Sequence, residues 1–500
     1  MSLIRNAVYN FAGGIAPALS ALLTVPVVIA HLGAAQYGVL VLVLSVVGYF
    51  SILDVNVTAG STKYLAEHHA RGDHDRVGQV LAFGSLLYLG IGLAGAAALV
   101  IYARPLAVQL FNIPLAAQPD AIRALQWAGA GFLCGQFQTY LQSVLHALQR
   151  FDLSGKSESV FGTVASLLTM FAVLMGGGLV AIVVARLLLN MVNIAWQLVV
   201  LRRLLPQVRM RMPGREVARA VAGFSAYSYL SRLANVSAAN SDKLFVGALT
   251  DMRSLALYAV PFTLVNRVFS NVYRLAQVLF PAASAMAAQN RHQELRAAYI
   301  GSTRVVVFVN AALCLLLVSL APELLHYWAG KDFGDLAVTV MVCVALAVFL
   351  DSLTNLPSIL NDGLGHPRYT GMAAILRAAT GIVLSYWAVR HYGILGAAVA
   401  QLLVSLVATV ITLVFLHRVS LPVPLGDVIR HGFMPSVPVL ALAGCLGWLA
   451  GQRSVVPPFA FFAAGVSLLL GLAVYGWLVV LPDAQRHRLV GMARARLRMT

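Results

Sequence analysis

The residues best placed to do chemistry are polar and charged side chains that recur at helical spacing inside apolar segments. One set, between residues 255 and 283, consists of Thr263, Asn266, Arg267, Ser270, Arg274 and Gln277. A second set, between residues 220 and 242, consists of Ser225, Ser228, Arg232, Asn235 and Asp242. Steps of three and four residues place such side chains on one face of a helix. Each of the two predicted helices therefore carries a polar face.

The arginines limit what these faces can contact. An arginine that faces lipid at the centre of a bilayer costs about 2.5 to 3.5 kcal/mol on the most lenient scale. We therefore expect these side chains to face protein or water. One arrangement that does so is a wet cationic cavity, which would bind substrate through Arg232, Arg267, Arg274, Asn235 and Asn266.

Acidic side chains offer a second arrangement. Arg232 could pair with Asp54, and Arg267 could pair with Asp242, so that the polar faces would be contacts between helices. Asp351 is a lone acidic residue inside another apolar segment. Either a hydrogen bond to a neighbouring helix or a site for a proton or a sodium ion would explain an acidic residue there. Asp54, Asp242 and Asp351 are accordingly the candidates for ion coupling.

Sequence motifs of hydrolytic, nucleotide-binding and metal-dependent enzymes are missing from the chain. It has no G-x-x-x-x-G-K-[ST], no G-x-S-x-G and no H-E-x-x-H. Its four cysteines form no C-x-x-C pair, which disfavours a zinc site or a disulfide framework. A membrane transferase would need a larger external connection than residues 103–121, whose ionisable side chains are Arg104 and Asp120. We predict a protein that is not an enzyme, with no catalytic residue, metal or cofactor.

The elements that carry these residues are predicted to be membrane helices. Of the 500 residues, 60% are hydrophobic and 11% are charged, whereas soluble domains are about 25% charged. The 48 residues from Asn6 to Leu53 contain no Asp, Glu, Lys or Arg. As a helix they would extend about 70 Å, which is enough for two crossings with a break at His31 to Gln36.

Apolar runs of about 17 to 25 residues predict fourteen spans along the chain. With both termini on one side of the membrane, the loops on that side contain 22 of the 35 Lys and Arg residues, and the opposite loops contain 6. Positive loops mark the cytoplasmic side, so the termini are predicted to be cytoplasmic. This distribution also explains the net charge of +17 without nucleic acid as a partner.

An internal repeat divides the first twelve predicted helices. Val28–Gly38 corresponds to Val246–Tyr258, and Arg104–Phe111 corresponds to Ala321–Trp328, at offsets of 221 and 217 residues. Six helices per repeat give two lobes of parallel topology. We predict an all-α membrane protein with a first six-helix lobe at residues 1–210 and a second at 211–420. Residues 421–500 add two helices and a basic cytoplasmic tail.

Three short segments carry a family resemblance. They are Arg5-Asn6 with Asn10, the segment His31-Leu32-Gly33-Ala34-Ala35-Gln36-Tyr37-Gly38, and Ser241-Asp242-Lys243-Leu244. Together with the layout of spans, they resemble the oligosaccharide flippases of O-antigen and exopolysaccharide biosynthesis. That family belongs to the superfamily of multidrug, oligosaccharidyl-lipid and polysaccharide exporters.

The resemblance implies an alternating-access transporter in the inner (plasma) membrane of a bacterium. Its cargo would be an undecaprenyl-pyrophosphate-linked oligosaccharide, and it would be embedded in the lipid bilayer. A polysaccharide polymerase is a candidate partner. A lipid II flippase and a cation-coupled multidrug antiporter are the alternatives. An antiporter for cationic drugs would need acidic side chains in its lumen. The two polar faces instead carry three arginines, Arg232, Arg267 and Arg274. The sign of the charge therefore favours a flippase.

The asymmetry of basic residues generates a test of topology. Reporter fusions after Arg219, Arg418 and Arg498 should give a cytoplasmic signal, whereas fusions near Arg104 and Lys331 should give an external one. Paired phosphatase and fluorescent-protein reporters at each position measure the two signals. A cytoplasmic signal at Lys331 would contradict the predicted order of spans.

Overall fold

The computed structural model describes residues 3–53, 57–212, 214–276, 289, 291–450 and 456–480. All regular elements in these ranges are helical, which confirms the all-α prediction. The helices are α1 (Leu3–Phe50), α2 (Val57–Ala70), α3 (His74–Pro105), α4 (Gln118–Ala147), α5 (Phe151–Leu174), α6 (Leu179–Leu204), α7 (Arg215–Leu249), α8 (Met252–Ala276), α9 (His292–Ser319), α10 (Ala321–Leu324), α11 (Asp335–Ser352), α12 (Asn355–Gly363), α13 (Pro367–Val419), α14 (Leu425–Val428), α15 (Val437–Ala450) and α16 (Pro458–Tyr475).

Nine helical segments among the described residues are long and apolar enough to cross a membrane. The first is Leu19–Leu53 and the last is Pro458–Val480. Their outer faces carry exposed apolar side chains such as Leu93, Leu188 and Phe462. Water does not favour an apolar surface of that extent, whereas hydrocarbon does. The chain is therefore a multi-pass membrane protein.

Two of these segments contain a sharp turn that makes each of them a pair of helices. In α1 the turn is at Gly33 (φ 79°, ψ 161°), and in α13 it is at Gly393 (φ 57°, ψ −139°). Glycine adopts a positive φ without the steric penalty of a Cβ atom. Gly33 lies in the segment where the sequence predicts a break, so that prediction is confirmed.

The same sequence segment also brings two backbones together. A Cβ atom on Gly38 would lie 1.8 Å from the carbonyl oxygen of Met252, the first residue of α8. Tyr37 and Val39, on either side of Gly38, are buried. The motif L-G-x-x-x-Y-G therefore provides a turn at its first glycine and a close approach between α1 and α8 at its second.

The structure divides into two compact units, Met1–Val260 with Ala374–Ala400 and Pro261–Ala373 with Gln401–Thr500. In the first unit, Tyr140 of α4 is fully buried and packs on Gly84 of α3, where an added Cβ would lie 2.2 Å from the ring. Its hydroxyl donates to the carbonyl of Val80 at 3.1 Å, and its ring stacks on Tyr88 at 5.4 Å between centroids. A small residue thus lets α3 and α4 approach, and a buried hydroxyl fixes them.

The core of the second unit contains a comparable buried polar contact. The hydroxyl of Tyr299 in α9 lies 3.0 Å from Nε2 of His417 in α13. Because the other ring nitrogen of His417 lies 2.8 Å from the carbonyl oxygen of Leu413, it is the protonated one, and Nε2 accepts from the tyrosine. Leu295 and Leu360 pack around this contact. The hydroxyl of Tyr299 and both ring nitrogens of His417 are therefore satisfied within the protein.

Residues with positive φ recur at nearly constant spacing along the chain. Asn112 and Gly330 are 218 residues apart, Gln149 and Gly365 are 216 apart, and Gly176 and Gly393 are 217 apart. π-Helical turns at Leu106–Leu110 and Leu325–Ala329 precede the first pair. These spacings agree with the offsets found in the sequence. The assignment of lobes to residues 1–210 and 211–420 stays a prediction.

The close approach at Gly38 generates a stability test. Gly38→Ala should destabilise the protein by about 1 to 3 kcal/mol, because neither backbone can move away from the new methyl group without disturbing its helix. Thermal unfolding in detergent, followed by size-exclusion chromatography, measures the effect. Gly90→Ala is the matched control, since an added Cβ there meets no atom within 4 Å. Equal melting temperatures for the two variants would contradict the described contact.

Candidate functional site

Helix α8 has one buried apolar face and one exposed polar face. Leu264, Val265, Phe269 and Val272 are buried, whereas Arg267 and Ser270 are exposed and Thr263 and Asn266 are half-buried. A helix that faced lipid would show the opposite distribution. The polar set predicted from the sequence is therefore a real face of α8, and it is the face that protein does not cover.

Arg267 lies near the middle of the 25 residues of α8, where the choice between lipid and water matters most. Its neighbours on this face bond to their own helix. The side-chain amide of Asn266 donates to the carbonyl of Phe262 at 2.9 Å, and the hydroxyl of Ser270 donates to the carbonyl of Arg267 at 3.1 Å. These two side chains are therefore satisfied by their own helix and do not join it to another.

The remaining predicted cavity residues are only partly described. Arg232 and Asn235 belong to α7 and Arg274 belongs to α8, but their side chains lie outside the described part of the structure. Asp54 lies outside the described residues altogether. Their roles in a cationic cavity or in ion coupling stay predictions.

Asp242 takes part in a buried contact between α7 and α8. Its Oδ2 accepts a hydrogen bond from the hydroxyl of Tyr258 at 2.6 Å, and its Oδ1 lies 3.4 Å from Nζ of Lys243. Lys243 also donates to the carbonyl of Ala239 at 2.7 Å. This carboxylate therefore has a tyrosine and an ammonium as partners, and it joins the two helices that carry the predicted polar faces.

Asp351 is half-buried at the end of α11, close to a break in a candidate span. Three carbonyl groups beside the break each accept a hydrogen bond from a hydroxyl, and those of Leu350 and Asp351 also accept from backbone N–H groups. Ser352 donates to Phe349 O at 2.6 Å, Thr409 to Leu350 O at 2.9 Å, and Thr354 to Asp351 O at 2.8 Å. The helix end is thus satisfied by side chains, as the low dielectric of a membrane requires.

A polar cavity of about 480 Å³ lies within the first unit. Helices α2, α4, α5 and α6 form its wall, and amide and hydroxyl side chains predominate in it. The lining residues are Thr58, Gln138, Thr139, Gln142, Ser143, His146, Ser157, Glu158, Phe161, Gly162, Ala165, Asn190 and Asn193. The described part of this wall is thus polar and includes neither lysine nor arginine.

A buried amide behind this wall holds three helices in place. Nε2 of Gln197 in α6 lies 3.2 Å from Asn193 Oδ1, 3.3 Å from Ser157 Oγ and 3.3 Å from Gln142 Oε1. Ser157 Oγ in turn donates to Asn193 Oδ1 at 2.9 Å. Gln197 is fully buried. Three residues of the wall are therefore fixed in orientation by one network.

The turn between α4 and α5 fixes a further part of the wall. His146 Nε2 lies 2.9 Å from Ser154 Oγ, and its ring stacks on Phe151 at 5.3 Å between centroids. Arg150 and Asp152 form a bidentate ion pair with both distances at 2.9 Å. Bidentate pairs of this kind are geometrically rigid. The imidazole of His146 therefore enters the cavity from a fixed turn.

The sequence contained a signal for this cavity that the predictions above did not use. Gln138, Gln142 and His146 are spaced by four residues, and Asn190, Asn193 and Gln197 are spaced by three and four. These are the steps of a helical face. Burying a neutral amide in a membrane costs less than burying an arginine, so amides are a weaker signal in the sequence. They nevertheless need hydrogen-bond partners in a membrane.

The sequence profile of a family described as polysaccharide biosynthesis protein matches residues 30–338 of the chain. This match covers more than half of the sequence. The chain belongs to that family.

Individual relatives of this polysaccharide biosynthesis protein are distant. A Shigella flexneri protein named as an O-antigen transporter is 19% identical over 403 residues, which are 80% of this chain and 94% of the relative. A Haloferax volcanii protein named as a low-salt glycan biosynthesis flippase, Agl15, is 23% identical over 367 residues, 70% of this chain and 75% of the relative. Both relatives are named as transporters of glycans or flippases.

Solved structures show that the fold of this polysaccharide biosynthesis protein is that of the MOP superfamily. An inward-facing multidrug resistance MATE family transporter matches with a TM-score of 0.65 at 16% identity, covering 85% of this chain and 96% of its own. A MOP superfamily transporter from Pyrococcus furiosus matches with a TM-score of 0.62 at 15% identity, covering 83% and 94%. These matches show that the chain has the fold of these transporters.

The contact between Asp242 and Tyr258 generates a prediction. Tyr258→Phe should lower the free energy of unfolding by about 1.5 to 3 kcal/mol, because it removes a hydrogen bond to a buried charge. The melting temperature in detergent measures this loss. Tyr273→Phe is the control, since that side chain is 39% exposed on the same helix. If Tyr258→Phe unfolds at the temperature of the control, the contact contributes nothing to the joining of α7 and α8.

Proposed function

We propose that the protein is a flippase that moves an undecaprenyl-pyrophosphate-linked oligosaccharide from the cytoplasmic to the outer leaflet of the bacterial plasma membrane by alternating access. The export would serve the synthesis of a surface polysaccharide. Membership of the polysaccharide biosynthesis family and the names of the two relatives support the class of cargo.

The single observation that carries the proposal is the exposed polar face of α8 with Arg267 at its centre. An arginine at this depth is costly in lipid, so we infer that the face borders a water-filled transport pathway. A pyrophosphate is the ligand whose charge matches guanidinium groups, which can bind phosphate oxygens in pairs. Arg232, Arg274, Asn235 and Asn266 would complete the lining.

The sign of this charge distinguishes the proposal from a multidrug antiporter. A cationic drug would require carboxylates on the pathway, whereas Asp242, the acid nearest to these arginines in sequence, is bound to Tyr258 and Lys243. A lipid II flippase remains the second candidate, because lipid II presents the same pyrophosphate and sugars. Asp54, Asp242 and Asp351 stay our candidates for coupling to an ion.

The proposed topology has fourteen spans with both termini in the cytoplasm. Nine candidate spans become eleven when α1 and α13 are each counted as two helices. Helices α4, α7 and α8 have 30, 35 and 25 residues. They are long enough to cross a bilayer, and their polar faces explain why hydropathy alone does not select them. Residues 1–210 and 211–420 would be the two lobes, and residues 421–500 the additional pair of helices and basic tail.

A deletion strain tests the proposed cargo. We expect loss of surface polysaccharide and accumulation of undecaprenyl-pyrophosphate-linked oligosaccharide, measured by mass spectrometry of the lipid fraction. Accumulation of lipid II would favour the second candidate. Normal polysaccharide together with increased drug sensitivity would contradict the proposal and favour an antiporter. A polysaccharide polymerase, if it is a partner, should co-purify with the complementing protein.

Arg267 provides the corresponding residue test. Arg267→Leu should reduce polysaccharide export at least tenfold without lowering protein level, because the leucine removes a cation that we place on the transport pathway; a loss of about 1.4 kcal/mol would suffice. Arg267→Lys separates charge from geometry, since lysine keeps the charge but loses the planar fork. Complementation of the deletion strain measures both variants.

Arg253→Leu is the matched control, because Arg253 is an exposed arginine at the start of the same helix. It should export normally. Full export by Arg267→Leu at normal protein level would show that Arg267 does not contribute to the pathway.

A further inference from the structure

The polar cavity of the first unit differs in chemistry from the arginine face of α8. We propose that this cavity binds an uncharged sugar residue of the lipid-linked cargo. The inference rests on the proposed flippase function and extends it, because it assigns the glycan a contact of its own in addition to the contact of the pyrophosphate.

Charge excludes the phosphate end of the cargo from the cavity. Among the described residues of its wall, His146 and Glu158 are the ionisable side chains, and none is a lysine or an arginine. Phosphates in proteins are bound by guanidinium and ammonium groups or by helix N-termini. The carboxylate of Glu158 is exposed and would repel an anion. A neutral ligand is therefore the one that this wall accepts.

The hydrogen-bonding groups of the wall fit hydroxyls. Gln142, Ser157 and Asn193 are fixed by the network around Gln197. Gln138 and Asn190 also line the cavity, and within the described part of the structure they have no hydrogen-bond partner. A side-chain amide offers two donors and an acceptor. Such amides complement sugar hydroxyls, which both donate and accept.

The wall also has an aromatic side and a suitable size. Phe161 lines the cavity and is braced by Trp196 at 6.0 Å between ring centroids. Apolar surface beside a few fixed polar groups is typical of small-molecule sites, which measure about 300 to 1,000 Å³. The volume of about 480 Å³ lies in that range and limits the ligand to a small part of an oligosaccharide.

Cysteine protection tests the inference on the full-length protein in detergent. The four native cysteines are replaced by alanine, and Ala165 in the cavity wall is replaced by cysteine, Ala165→Cys. Methyl glycosides of hexoses and N-acetylhexosamines, and lipid-linked oligosaccharide extracted from the deletion strain, are the probes. We expect at least one glycoside and the extracted lipid to slow maleimide labelling, and inorganic pyrophosphate to leave it unchanged. No protection by any sugar, or protection by pyrophosphate alone, overturns the inference.

Variants of the two unpartnered amides give the second measurement. Asn190→Leu and Gln138→Leu should each raise the glycoside concentration needed for half-protection about three- to tenfold, the effect of one or two neutral hydrogen bonds. Thr339→Val is the control, because Thr339 does not line the cavity and its hydroxyl donates to Asp335 O of its own helix at 3.0 Å. Unchanged protection in both leucine variants overturns the inference.

The two proposals fail independently. Normal surface polysaccharide in the deletion strain would contradict the flippase function, whether or not the glycosides slow maleimide labelling of the Ala165→Cys variant. If deletion abolishes the polysaccharide but no sugar protects the cysteine, the flippase function stands and the cavity does not bind a sugar.

Discussion

Hydrogen-bonding groups that enter the hydrocarbon of a membrane must find partners in the protein or in enclosed water, because lipid offers none. Several described side chains illustrate this constraint. Asp242 is bonded to Tyr258, and His417 to Tyr299. Arg186 donates to Thr169 at 3.2 Å, which joins α6 to α5. Each of these polar groups both satisfies a neighbour and fixes the distance between two helices.

The same constraint applies to two further polar surfaces, the arginine face of α8 and the cavity of the first unit. The face of α8 that carries Arg267 is partly exposed, and amides such as Asn190 line the cavity formed by α2, α4, α5 and α6. Both surfaces are polar and would be unfavourable against lipid. Their different chemistry is what the proposed cargo would require, with its anionic pyrophosphate and its uncharged sugars.

Sequence alone could predict what depends on one helix at a time. A period of 3.6 residues exposes the polar face of α8, and a glycine motif marks the turn at Gly33. Contacts between helices could not be predicted in this way. The sequence did not indicate that Asp242 contacts Tyr258, which lies 16 residues away in the next helix. The cavity was missed for a similar reason, because its amides gain their meaning only where three helices converge.

Turns at matching positions fix the lengths of the helices between them. Asn112, Gln149 and Gly176 have counterparts at Gly330, Gly365 and Gly393, and the three spacings differ by at most two residues. One inserted residue rotates every later side chain of a helix by about 100°. Nearly equal spacings would therefore keep corresponding side chains on corresponding faces of their helices, while the identity of each side chain is free to differ. Each predicted lobe could in this way keep the same backbone and carry a side-chain chemistry of its own.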